Sequence, residues 1–162
     1  MVAMPRTRAW VRYIEQKYGV VLRQHECRLA LDRLTATQAE IERVKYDPVR
    51  HEGFRVGEPI LAYRGRHGRC FIVDGHTRAR VLLDLGETQV PAHLCTSDEP
   101  DVDAELERIA SAAGGGRQMT IQDVPVVDRL GVGSDAWYAR RAELLARWKA
   151  ESAGRDGGAT DG

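Results

Sequence analysis

The sequence has no long apolar run, and it has few cysteines. No stretch reaches the roughly 18 apolar residues of a membrane span, and the opening residues lack the apolar segment of a signal peptide. We therefore expect a cytoplasmic protein without a membrane partner. Three cysteines occur, an odd number at wide spacing, which argues against a disulfide framework. They are Cys27, Cys70 and Cys95.

An excess of charge of either sign is also missing. Lys plus Arg and Asp plus Glu are both 24, so no global field would attract the chain to nucleic acid. All but three of the positive residues are arginines, which leaves a local basic site open, although genome composition alone explains such a bias equally well. A length of 162 residues with 43% hydrophobic residues is typical of one globular domain.

Hydrophobic spacing and capping patterns predict the elements of the first half of the chain. Two overlapping capping boxes, Thr35 to Gln38 and Thr37 to Glu40, favour a helix that Pro48 ends, followed by an irregular loop to residue 59. The other predicted elements here are a helix over 6–18 and a short strand over 20–22.

The second half predicts a hairpin, then alternating helices and strands. Strands at 60–63 and 69–73 flank a glycine-containing turn, and Pro91 places the later strand 89–95 at an edge or near a strand end. Helices are predicted over 76–85, 101–112 and 134–149, and the polar tail 151–162 is predicted to be disordered.

One junction concentrates polar residues between a predicted strand and a helix. The stretch "IVDGHTRARVLLDLG" (72–86) changes from apolar to helical at Asp74-Gly75. The first amides of a helix bind anions, Gly75 lets a ligand approach the backbone, and Arg78 and Thr77 offer donors. His76 adds a further donor, and Asp74 could hold Mg²⁺ or orient the turn. The alternative is an ordinary Asp-Gly turn with an aspartate cap and no ligand.

The order strand, turn, strand, "DGHTRA", helix, Gly, "VPA" over residues 20–98 resembles the ParB/sulfiredoxin superfamily. The box reads G-E-R-R in ParB proteins and G-C-H-R in sulfiredoxins, and here it is Gly75-His76-Thr77-Arg78. The free-serine kinases of the superfamily carry a D-G-H-[HT]-R box preceded by a "HE" pair. This chain has both features, the pair being His25-Glu26.

The resemblance implies an α/β fold with a small mixed sheet flanked by helices for the core (20–98), and it does not cover residues 1–19 or 99–162. The helical patterns outside the core add an N-terminal helix (1–19) and a C-terminal helical extension (99–150), followed by the tail. The implied function is nucleotide-dependent phosphate transfer to a small hydroxyl metabolite such as free serine. Gly75 to Arg78 would bind ATP, ADP or CTP with Mg²⁺. Asp74 would support the metal and the catalysis, and Glu26 would act as the base.

Three alternatives belong to other classes of protein. A sulfinic-acid reductase needs a thiol in the box, where this chain has His76. A DNA clamp or nuclease needs a helix-turn-helix or a metal cluster, and the residue spacings favour neither. A non-catalytic nucleotide-binding module that regulates DNA or a protein partner remains the second hypothesis, and a homodimer stays open.

Overall fold

The computed structural model describes the backbone of residues 5–160 and the side chains up to residue 153. The helices are α1 (Pro5–Tyr18), α2 (Arg43–Glu52), α3 (His76–Asp84), α4 (Pro100–Ala113) and α5 (Asp135–Thr160). The strands are β1 (Arg23–Ala30), β2 (Leu34–Thr35), β3 (Ile41–Glu42), β4 (Ile60–Arg64), β5 (Cys70–Asp74), β6 (Gln89–Thr96) and β7 (Val126–Val127).

Five of the strands form one mixed sheet in the order β1-β6-β4-β5-β2. The β1–β6 and β4–β5 pairs are antiparallel, whereas β6–β4 and β5–β2 are parallel. Strands β3 and β7 form a separate parallel pair. The chain is therefore an α/β protein with a mixed sheet, flanking helices and a C-terminal helix, which confirms the predicted fold class.

Each face of the sheet carries its own hydrophobic core. On one face α1 and α4 pack over Leu61 and Tyr63. On the other face α2, α3 and α5 pack over Ala62 and Ile72. Successive residues of β4 thus point to opposite sides, as the twofold period of a strand requires. Helices therefore cover both faces of the sheet. The turn between β5 and α3 lies where these two layers of helices meet.

Most of the strongly periodic segments are confirmed. Helices α1, α3 and α4 lie within two residues of the predicted ranges, and β4 and β5 form the predicted hairpin. The aromatic stripe of the last predicted helix is core, since Trp137 and Trp148 are both buried. Burial of this stripe holds α5 against the sheet.

The helix predicted over 35–44 is wrong. The hydroxyl that would cap it, Thr37 Oγ1, instead donates to the carbonyl of Ile72 in β5 at 2.5 Å. The Ala36 amide donates to Met119, and Ile41 begins β3. Capping boxes satisfy amides locally, whereas here distant backbone groups satisfy the same residues.

Pro48 does not end a helix, because it lies inside α2. Because proline has no amide hydrogen, the helical hydrogen bond to the Val44 carbonyl is not made, and an interior proline costs a helix about 3 kcal/mol. Helix α2 buries Val44, Tyr46, Pro48 and Val49, and we attribute its formation to this burial. The loop predicted over 47–59 is correspondingly reduced to the turns after Glu52.

The strand predicted at 20–22 is also wrong, since β1 begins at Arg23. Its sequence, RQHECRLA, is largely exposed and pairs with β6 through the backbone, so apolar alternation does not reveal it. Pro91 lies in β6, an internal strand rather than an edge. Pairing of β6 with β4 begins only at Ala92, so Pro91 has a neighbouring strand on one side.

The ends of the chain differ from expectation at one point. Disorder is predicted from residue 151, whereas the backbone of α5 continues to Thr160. Residues 1–4 of the predicted N-terminal segment and residues 161–162 of the predicted tail lie outside the described part. Within the described residues, no helix combines the length and the apolar character needed to cross a membrane.

Candidate functional site

The β5–α3 junction requires a glycine. Gly75 has a φ of +106°, in the left-handed region that favours glycine. A Cβ atom at this position would lie 2.7 Å from Ile60 Cγ2 and 2.9 Å from Arg78 Nη2. The Gly75 carbonyl accepts the Ala79 amide at 3.0 Å, so the turn leads directly into α3. The backbone therefore approaches the Arg78 guanidinium more closely than any other residue type would permit.

His76 is directed into the protein rather than towards a ligand. It is only 4% exposed, and its Nε2 accepts the Thr37 amide at 2.9 Å. Burial lowers its pKa to about 4, against the opposing effect of the Asp74 charge. The ring is therefore neutral near pH 7 and fixes the 36–40 segment to α3. These contacts do not support the predicted role in phosphate binding.

Arg78 is the most unusual residue of the junction. Its side chain is 8% exposed, and its Nη2 donates to the Pro59 carbonyl at 3.0 Å. Its Nε is buried without a hydrogen-bond partner. Burial is the main cause that lowers its pKa, and the negative charges of Asp74 and Glu58 act in the opposite direction. A buried polar donor without a partner is costly, so an anion bound to this Nε would stabilise it.

Two further arginines lie beside Arg78. Arg6 of α1 pairs with Asp74 at 3.3 Å and with Glu151 of α5 at 3.2 Å. Arg55, in the turn before β4, pairs with Glu58 at 2.5 Å and with Glu151 at 3.2 Å. Three arginines from α1, α3 and this turn therefore converge at the start of α3. We call Arg6, Arg55 and Arg78 the arginine cluster.

Arg55 has a strained backbone. Among the described residues, Arg55 is the one non-glycine residue with a positive φ, +59°. This conformation costs about 1–2 kcal/mol. Its side chain is buried, with 8% of its surface exposed, and the guanidinium carbon lies 5.6 Å from the centroid of the Trp148 ring. The ion pairs and the ring contact hold this conformation in place.

Asp74 and Thr77 flank the cluster. Asp74 ends β5 and is bound to Arg6, so its carboxylate is already compensated. The structure groups no three His, Cys, Asp or Glu side chains for a metal among the residues it describes. A Mg²⁺ ion would therefore need phosphate oxygens in addition to Asp74. Thr77, in the first turn of α3, is half-buried.

Glu26, the predicted base, lies on the same face of the sheet but away from the cluster. Strand pairing sets Glu26, His93, Leu61 and Asp74 in one lateral row. Three strand spacings of this kind amount to about 14 Å between backbones. Glu26 is exposed on the edge strand β1. The sheet thus aligns Glu26 with the junction without bringing the two into contact.

Three residues of the site lay outside the sequence-based prediction. Arg6 belonged to the predicted N-terminal helix, Arg55 to a predicted loop and Glu151 to the predicted tail. The available local signal was weak: Arg55 stands between Gly53 and Gly57 in "GFRVGEP". Only the packing of α1 and α5 brings these side chains to the start of α3.

The fold and the site together define an α/β domain with an arginine-lined strand-to-helix turn. No family model and no curated protein matches the chain. Solved structures similar to it include protein Atu1540 from Agrobacterium tumefaciens, at 16% identity and a TM-score of 0.44, over 65% of this chain and 63% of that one. A Pnob8-like ParB-N domain is similar at 15% identity and a TM-score of 0.33, over 81% and 49% of the two chains. The chain thus spans less than two thirds of either structure.

Proposed function

We propose that this protein binds a phosphorylated ligand, a nucleoside di- or triphosphate such as ATP, ADP or CTP, at the start of α3. The observation that carries the proposal is the buried guanidinium of Arg78, whose Nε has no partner. Arginine matches phosphate with paired donors, and such charge-assisted bonds are about twice as strong as neutral ones. A phosphate oxygen would supply the acceptor that the Nε lacks.

The residues around Arg78 fit the same ligand. Gly75 leaves the backbone without a Cβ where it meets the guanidinium. The first amides of α3 have no partners within the helix and lie at its positive end. Thr77 adds a hydroxyl in the first turn. Asp74, with the phosphate oxygens, would hold the Mg²⁺ that accompanies a nucleotide, and the ion would neutralise phosphate charge.

We propose a binding module that regulates a protein or DNA partner rather than a catalyst. A general base must reach the proton it removes, directly or through one water. Glu26 lies three strand spacings away from β5, with β6 and β4 between them. Nucleotide binding at the arginine cluster has no need of that carboxylate.

Phosphate transfer to a small hydroxyl metabolite such as free serine is the second candidate. The observation that favours it is the shared lateral row of Glu26 and Asp74 on one face of the sheet. Glu26→Gln keeps the shape and removes the base. For a kinase, transfer to serine should then fall by about two orders of magnitude, with nucleotide affinity retained. A wild-type protein that phosphorylates no hydroxyl metabolite would exclude this candidate.

The deciding variant for nucleotide binding is Arg78→Met, which keeps an apolar stem and removes the guanidinium. We expect affinity for ATP, ADP or CTP with Mg²⁺ to fall by about 1.5–3 kcal/mol. We also expect the free energy of unfolding of the unliganded protein to stay level or rise by about 1–3 kcal/mol, since the desolvation cost of a buried charge is removed. Calorimetric titration and urea unfolding measure the two quantities.

Arg80→Met is the matched control on the same helix. Arg80 pairs with Asp84 at 3.0 Å, away from the arginine cluster. Its loss should lower stability and leave nucleotide affinity unchanged. Unchanged affinity in a folded Arg78→Met protein would overturn the proposed site.

A further inference from the structure

Helix α5 supplies a carboxylate, that of Glu151, to the arginine cluster. Glu151 accepts from Arg6 Nε through one oxygen and from Arg55 Nη1 through the other, both at 3.2 Å. Its side chain is 16% exposed. The carboxylate thus bridges α1 and the turn before β4 beside Arg78. A phosphate contacting the cluster would use the same donors.

The contact is built into the packing of α5. Trp148 is buried and stacks on Phe54 with ring centroids 5.3 Å apart. The Arg55 guanidinium lies over the same indole. Leu144, one turn earlier, is fully buried. One turn of α5 therefore places Trp148 against the segment that carries Arg55 and directs Glu151 to the cluster.

With Glu151 in place, the site has little room for a phosphate. The cavity lined by Arg6, Arg55, Asp74, Arg78 and Glu151 has a volume of about 10 Å³, which is about the space of one water molecule. A phosphate would also meet the negative charge of Glu151 at close range. Binding at Arg78 therefore requires the carboxylate to leave.

We propose that Glu151 is an internal anion that occupies the phosphate site, and that the turn of α5 that carries Glu151 is a latch which a phosphorylated ligand displaces. This inference rests on the proposed function and adds its regulation. The protein alternates between a closed state, with Glu151 on Arg6 and Arg55, and an open state, with phosphate there. Because only open molecules bind phosphate, the apparent affinity is the intrinsic affinity multiplied by the fraction of molecules that are open.

The test compares Glu151→Gln with Glu143→Gln in the full chain. Glu143 lies on the same helix and pairs with Arg140 and Arg147, at 3.1 and 3.4 Å, away from the cluster. We expect Glu151→Gln to bind inorganic triphosphate and Mg-ATP at least about tenfold more tightly than wild type, because a like charge is removed. Glu143→Gln should bind as wild type. Calorimetric titration gives the affinities, and a thermal melt verifies that each variant is folded.

A second measurement needs no substitution. Adding triphosphate to the wild-type protein should increase amide hydrogen exchange in residues 145–153 and change the fluorescence of Trp148. A site that binds without moving α5 would show neither change, and that result would overturn the latch.

The outcomes separate the two proposals. Equal affinities of wild type and Glu151→Gln would overturn the latch and leave the proposed phosphate site standing. Weaker binding by Glu151→Gln would make the carboxylate part of the binding site and also overturn the latch. If neither protein binds triphosphate or Mg-ATP, both proposals are overturned.

Discussion

His76 and Arg78 both lie in the first turn of α3, yet their surroundings differ. Both side chains are more than nine-tenths buried. His76 has a partner for Nε2 in the Thr37 amide, whereas Arg78 keeps a buried Nε without one. These contacts give His76 a part in the stability of the junction, whereas the ligand contact of Arg78 is a proposal. The neighbouring Gly75 permits both, because it leaves the space that Arg78 occupies.

The buried His76 should make stability depend on pH. Its pKa is lowered from 6.5 to about 4 in the folded protein, so the unfolded chain takes up the proton first as the pH falls. The free energy of unfolding should therefore decrease between pH 6.5 and pH 4, by about 3 kcal/mol from this group. Urea unfolding over this range, compared with His76→Gln, measures its share.

His67→Gln is the matched control, since His67 is exposed at the tip of the β4–β5 hairpin. This variant should follow the wild-type pH profile. A His76→Gln protein with the same decrease as wild type would show that His76 does not cause it.

At the scale of elements, α1 and α4 are joined through one buried carboxylate. Glu105 of α4 is 4% exposed and accepts hydrogen bonds from Tyr13, Lys17 and Tyr18 of α1. Three donors on one side chain satisfy a charge that burial would otherwise make costly. These bonds hold its pKa below the ordinary value, although burial acts in the opposite direction. The contact fixes α1, and hence Arg6, against the sheet.

Replacing Glu105 by Ala should destabilise the fold. The variant leaves three donors without their acceptor, and we expect the free energy of unfolding to fall by about 1.5–3 kcal/mol. Glu107→Ala removes a half-exposed carboxylate that pairs with Arg69, and should cost about 0–1 kcal/mol. Denaturant unfolding of both variants provides the comparison. Equal losses would mean that the Glu105 contact contributes no more than a surface ion pair.

At the scale of the whole molecule, α5 is part of the core rather than an appendage. Its residues Trp137, Leu144 and Trp148 are buried with the helices on one face of the sheet. The same helix carries Glu151 to the opposite layer, where it meets Arg6 of α1. The stability of the fold and, in the proposed latch, access to the candidate site therefore involve one element.

Trp148→Ala tests this coupling. Loss of a buried indole should lower the free energy of unfolding by about 3–5 kcal/mol. Tyr138 of the same helix is 59% exposed, and Tyr138→Ala should change it by less than about 0.5 kcal/mol. Thermal and urea unfolding measure both. A small loss for Trp148→Ala would show that α5 packs weakly on the core.

The sequence by itself determined the elements whose information is local. Apolar spacing located α1, α3 and α4, and glycine-containing turn chemistry located the β4–β5 hairpin. The strand-to-helix junction, with Gly75 and Arg78, was also predictable, because both the turn and the start of a helix have short-range signals.

Tertiary structure decided the rest, since the competing interactions come from distant residues. Thr37 and Ala36 do not form the predicted helix, because they donate hydrogen bonds to the carbonyls of Ile72 in β5 and of Met119. The exposed strand β1 exists because β6 pairs with it, and α2 accommodates Pro48 within a buried face. Arg6, Arg55 and Glu151 meet only because α1, the turn before β4 and α5 pack at one corner. No local sequence pattern predicts this contact, because each of these charged side chains is expected to be exposed to solvent when the packing of the helices is not known.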